Sequence, residues 1–116
     1  MLFRSDRLEL FEGGRVSCVA LSYEDAIACG VDVEELDALI DMARCVLGVE
    51  VSFAIKQKEA GEMFRISMRS DGKVDVSEIC KRFDGGGHPR AAGGEIVARS
   101  AEDAKNEVLR EVVKSL

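Results

Sequence analysis

The stretch that decides the fold is FRISMRSDGKVDVSEICKRFDGGGHPRAAGGEIVA, residues 64–98. Its opening alternates: Phe64, Ile66 and Met68 are apolar, while Arg65, Ser67 and Arg69 are polar. That is the period-two pattern of a strand with one buried face. It turns Arg65, Ser67 and Arg69 to one side together, either as an ordinary polar solvent face or as a donor set for phosphate. Asp75 then stands where a helix cap belongs, with Glu78 three residues on. Val76, Ile79, Cys80 and Phe83 follow at helical spacing. The helix cannot run through Gly85-Gly86-Gly87, and a short strand, Glu95–Ala98, closes the stretch.

Outward from this stretch the pattern stays mixed. On the N-terminal side Val51, Phe53 and Ile55 alternate as a strand, joined to the next by a turn at Lys58–Glu62 that contains Gly61. Before them, Asp32 and Glu35 open a helix with Leu36, Leu39, Ile40, Ala43 and Leu47 on its apolar stripe and Gly48 at its end. Glu34, Glu35, Asp37 and Asp41 read as its solvated face. Residues 23–29 suggest a short helix. Leu8–Phe11 and Arg15–Leu21 both alternate around Glu12-Gly13-Gly14, which reads as a hairpin. On the C-terminal side Ser100 caps a last helix with Ala101, Ala104, Val108, Leu109, Val112 and Leu116 along one stripe. The expected fold is α/β: a single mixed sheet of about five strands covered by helices, in the order ββ(α)αββαβα. Residues 1–7 read as a linker remnant or frayed start, and 8–116 as one domain.

Composition excludes several classes. With 116 residues, 47% apolar and 33% charged, the chain is long enough for one core and too apolar to be disordered. No apolar run approaches the ~18 residues of a membrane span, so no membrane partner is expected. The opening MLFRSDRLEL has no secretory pattern, and Cys18, Cys29, Cys45 and Cys80 form no CxxC pair. Together these suggest reduced core cysteines and a cytoplasmic location. The net charge of −6 argues against a general nucleic-acid coat. Yet residues 56–90 carry eight basic and six acidic side chains, so an anionic ligand is expected to meet that region.

The chemistry-bearing segment is Asp84–Gly94, DGGGHPRAAGG. Successive glycine N–H groups can cradle an anion, His88 can donate to an oxyanion, and Arg90 adds a permanent cation. No Lys-Ser/Thr follows the glycines, so this is not a Walker loop. His88 is the only histidine, and no HExxH, DxDxDG or GxSxG occurs. A two-metal hydrolase centre needs more ligands than this, so no catalytic and no metal-binding residue is assigned.

Ser67-Met68-Arg69-Ser70, Asp75-Val76-Ser77-Glu78-Ile79, Phe83 and Gly85-Gly86-Gly87-His88-Pro89-Arg90-Ala91-Ala92-Gly93 together resemble the DHH-associated domain. That is the C-terminal, substrate-gripping domain of DHH-family phosphoesterases, most similar here to the nanoRNase and pAp phosphatase type. The resemblance runs from about Leu8 to the end. It implies that Arg69 contacts a substrate phosphate and that Gly85, Gly86, Gly87 and His88 face the cleft. Arg90 falls on a variable position and is included for its charge. The resemblance also implies an N-terminal DHH catalytic domain as partner, carrying manganese. No cofactor is then expected on this chain, which alone would be inactive. The ligand would be a nucleotide, short RNA or single-stranded nucleic-acid phosphate. The other reading is a stand-alone nucleotide- or RNA-binding module, like the related domains at the end of alanyl-tRNA synthetases. Asp84 stands where many relatives carry glycine, and is expected to point outward or to pair with Arg82 or Arg90.

Overall fold

A computed structural model of the chain describes residues 8–30, 32–57 and 62–116. The linker assigned to residues 1–7 and the turn residues 58–61 lie outside them, as do the side chains of Cys29 and Glu34.

The described residues form four helices and six strands. Strands β1 (Leu8–Phe11) and β2 (Val16–Leu21) form the first hairpin across a 3-10 turn at Glu12–Gly14. Helices α1 (Tyr23–Cys29) and α2 (Val33–Leu47) lead to strands β3 (Val51–Gln57) and β4 (Met63–Ser70). Helix α3 (Val76–Lys81), strands β5 (Gly86–His88) and β6 (Ala91–Val97) and helix α4 (Ala101–Ser115) complete the chain. Each helix begins on a side-chain cap: Ser22, Asp32, Asp75 and Ser100 accept from the N–H of Asp25, Glu35, Ser77 and Asp103. Gly30 and Gly48 end α1 and α2 in the left-handed conformation.

One mixed sheet runs in the order β1-β2-β3-β4-β6-β5. The α1–α2 crossover makes β2 and β3 parallel; the other neighbours are antiparallel. The sheet therefore has six strands, not about five. The added strand is β5, taken from the glycine run, and β6 begins at Ala91 rather than Glu95. Helix α3 ends two residues short of Phe83, whose N–H closes a turn on the Cys80 carbonyl. Strand β2 does not alternate in burial. Val16, Ser17, Cys18 and Val19 are all buried, because the strand is covered on both faces.

One face packs on α3 and α4 through Phe53, Ile55, Phe64, Ile66, Met68, Ile79, Val108 and Val112. The other packs on α2 through Val19, Leu21, Ala54, Leu36 and Ile40. Lys105 on α4 is buried, with its ammonium on Glu9 and Glu102 and 5.6 Å over the Phe11 ring. Burial opposes its charge, but the hydrogen bonds it donates to Glu102 and Glu9 outweigh that and raise its pKa. Cys18 and Cys80 are core residues; burial pushes the Cys80 thiol up to about 11 and that of Cys18 well up. Cys45 is exposed on α2, contrary to the core reading. Among the described residues no helix is long and apolar enough to cross a membrane.

Candidate functional site

Helix α2 covers only part of its side of the sheet. It packs on β2, β3 and the near side of β4. Beyond it, β6 and β5 carry their α2-side residues away from that helix. Pairing arranges these residues in rows. One row runs Ser17, Ser52, Arg69, Ala91, His88, from β2 to β5. The next runs Val19, Ala54, Ser67, Gly93, Gly86, and a third ends Lys56, Arg65, Glu95. The middle row shrinks to bare backbone as it leaves α2. The result is a shallow groove of about 280 Å³, floored by Ser67, Gly93 and Gly86 and flanked by Arg65 and Arg69. At roughly 4.8 Å per strand, Arg69 and His88 stand two strands, or about 10 Å, apart in their row.

Asp84–Gly94 is not a nest. Gly86-Gly87-His88 forms an edge strand, so its N–H groups alternate in direction instead of converging. The three glycines are not equivalent. A Cβ on Gly85 would sit 1.9 Å from the Gly93 carbonyl oxygen. Gly87 has φ +144°, and a Cβ there would lie 2.7 Å from the Ala91 carbonyl oxygen. Both are demanded by close backbone packing. A Cβ on Gly86 would meet nothing within 4 Å, and its φ lies outside the left-handed region. The fold gives no reason for glycine at Gly86, which faces the groove.

The expected site residues divide accordingly. Arg69, Gly86 and Gly87 line the groove, together with Arg65, Ser67 and Asp37. Gly85 is exposed and packs by its backbone against Gly93, and like His88 and Arg90 it lies outside the lining. His88 is exposed, in the same row as Arg69, and its imidazole has no hydrogen-bond partner among the described residues. Arg90 belongs to the two-residue turn between β5 and β6. Its guanidinium lies over Gly72, where a Cβ would come within 2.8 Å of it. The carbonyls of Pro89 and Arg90 accept from the N–H groups of Val76 and Ser70, which clamp that turn to the β4–α3 loop. Asp84 is exposed at φ +54°, and Arg82 pairs with Glu111 instead. The outward reading of Asp84 holds, and its left-handed backbone explains why glycine suits the position.

The solvated reading of α2's acidic face is corrected for Asp37 and Asp41. Arg69 Nε lies 3.1 Å from Asp41 Oδ1, and an Arg69 terminal nitrogen 3.8 Å from Asp37 Oδ2. The other terminal nitrogen donates to the Met68 carbonyl at 3.0 Å. At 100° per residue, Asp37 and Asp41 lie about 60° and 100° around the helix from Ile40. They flank the buried stripe rather than oppose it, and that offset was the signal available in the sequence. Arg65 has no charged partner among the described residues. No three His, Cys, Asp or Glu side chains converge there to hold a metal.

An open sheet edge beside two arginines and a glycine floor gives a domain of the α/β class with a small groove on one face of its sheet. Residues 18–115 match the DHHA1 domain model, and the chain belongs to that family, the associated domain of DHH-family phosphoesterases. It is 32% identical over 83 residues to the bifunctional oligoribonuclease and PAP phosphatase NrnA of Thermus thermophilus, a match that covers 72% of this chain and 25% of that protein. The chain thus spans about a quarter of the curated relative it matches. Among solved structures, an exopolyphosphatase-related protein from Bacteroides fragilis superposes with a TM-score of 0.75 at 20% identity, over 94% of this chain and 31% of that one. The pGpG-specific phosphodiesterase PggH from Vibrio cholerae superposes at 0.65 and 12% identity, over 97% and 37%. These two likenesses establish the fold.

Proposed function

We propose that this domain grips the phosphate of a nucleotide or short-RNA end for a manganese-dependent DHH phosphoesterase whose catalytic DHH domain lies outside residues 1–116. The observation that carries the reading is the juxtaposition of Arg65 and Arg69 with the Cβ-free floor at Gly86 and Gly93, on the face of the sheet that α2 covers only in part. A phosphate needs cationic donors in a fork geometry and room for close approach, and both are present. The relatives named for oligoribonuclease, PAP phosphatase and pGpG phosphodiesterase activity support the choice of a nucleotide phosphate. Metal chemistry is assigned to the DHH domain, where manganese would activate the attacking water. This chain's part is to hold and orient. His88, on the outer strand of the same row, extends the grip beyond Arg69.

The test is a calorimetric titration of this chain with adenosine 3′,5′-bisphosphate (pAp). Loss of a charge-assisted hydrogen bond in Arg69→Ala is expected to weaken binding roughly tenfold or more, and Arg65→Ala to weaken it by less. Wild-type affinity in Arg69→Ala would refute the reading.

A further inference from the structure

In this structure all three nitrogens of the Arg69 guanidinium face the protein's own oxygens: Nε faces Asp41, one terminal nitrogen faces Asp37, and the other donates to the Met68 carbonyl. The groove is correspondingly poor in net positive charge. Arg65 and Arg69 are set against Asp37, Asp41 and Glu95, which share that side of the sheet. A phosphate approaching the Nε side of Arg69 competes with these carboxylates for it. The contact is built weakly enough to be displaced. Asp41 is engaged through Nε alone rather than by a two-pronged fork, and its side chain is 48% exposed. Asp37 stands at 3.8 Å, with its other carboxylate oxygen, Oδ1, buried and without a hydrogen-bond partner among the described residues. A pair selected for stability would satisfy that oxygen.

We propose that Asp41 and Asp37 are affinity-setting residues: an internal competitor that holds Arg69 against α2 and is exchanged for ligand phosphate. The inference rests on the phosphate-gripping reading above. Its physics is that of a population shift. Ligand meets only the fraction of molecules in which Arg69 is free, so the apparent dissociation constant rises by the reciprocal of that fraction, equally for any phosphate that uses Arg69. Binding then also releases the carboxylates of α2, so occupancy of the groove is reported on the one helix that borders it.

The test is a pAp titration of wild type, Asp41→Asn, Asp37→Asn/Asp41→Asn, Arg69→Ala and Arg69→Ala/Asp41→Asn. Asparagine keeps the shape and removes the charge. Removing a half-exposed ion pair is expected to tighten binding about two- to fivefold in Asp41→Asn, and roughly tenfold in the double asparagine variant. In the Arg69→Ala background, Asp41→Asn is expected to change affinity less than twofold, because no competitor remains to be removed. Unchanged or weaker binding by Asp41→Asn, with Arg69→Ala still impaired, would overturn the proposal alone and make the carboxylates positioning residues. Equal tightening in both backgrounds would overturn it in favour of diffuse repulsion. Arg69→Ala binding like wild type, or no binding by any variant, would overturn the functional reading and the proposal with it.

Discussion

The α2 side of the sheet is two surfaces built on one backbone. Under α2, the middle row carries Val19 and Ala54, closed over by Leu36 and Ile40. Further on, the same row carries Gly93, where a Cβ would come within 3.0 Å of the Ile66 carbonyl oxygen, and Gly86, where it would meet nothing within 4 Å. The rows are continuous, so the difference is not one of topology. It comes from where α2 stops and from side chains that dwindle to hydrogen beyond Ser67. The covered half spends its residues on burial. The open half gives up burial and keeps a shallow floor between arginines, where the proposed function places a ligand phosphate.

The sharpest way to break that comparison is within the glycine run. Gly85→Ala is expected to destabilise by about 3 kcal/mol or more in chemical denaturation, because the clash is with backbone and cannot be relieved by a rotamer. Gly86→Ala is expected to leave stability unchanged or raise it by up to about 1 kcal/mol, since alanine loses less entropy in a strand, while pAp binding weakens. If Gly86→Ala bound pAp as tightly as wild type, the bare floor would have no ligand reason either.

Acid should act on the scaffold through three carboxylates that lie outside the groove lining. Asp75, which caps α3, is held below the usual carboxylate range by the Ser77 hydroxyl and N–H. Glu50 is lowered by Arg15, and Glu111 by Lys114 and Arg82. A depressed folded pKa means stability that is present above the unfolded value of about 4 and lost as pH falls through the folded one. Thermal melts are expected to be flat from pH 7 to about 5 and to fall below about 4. A melting temperature that rose on acidification below pH 4 would contradict these assignments. Smaller still, Asp84→Gly is expected to stabilise by about 0.5–1 kcal/mol by relieving a left-handed side chain, as denaturation midpoints would show. A loss of stability there would mean the Asp84 carboxylate has a partner.

Much of this was legible in the sequence, and the exceptions have physical causes. Asp32, Asp75 and Ser100 announced their helices because capping is local, and β3 and β4 fell near their observed bounds. Gly86-Gly87-His88 could not be read as a strand, because glycine has almost no strand preference of its own. Its pairing is imposed by β6 and by the clamped Pro89-Arg90 turn. The motif did point to Arg69 and to the glycine run. What it could not give was the division of labour among Gly85, Gly86 and Gly87, or the partnership of Arg69 with Asp37 and Asp41. Both depend on register and helix placement across strands distant in the chain.

The most direct measurement of the central claim is an amide chemical-shift map of this chain titrated with pAp. The account predicts that the largest shifts fall on Ser67, Arg69, Gly86 and Gly93, with smaller ones along α2 at Asp37 and Asp41, and none at Val19 or Ala54. Shifts centred on another face of the molecule, or no shifts at millimolar pAp, would contradict it.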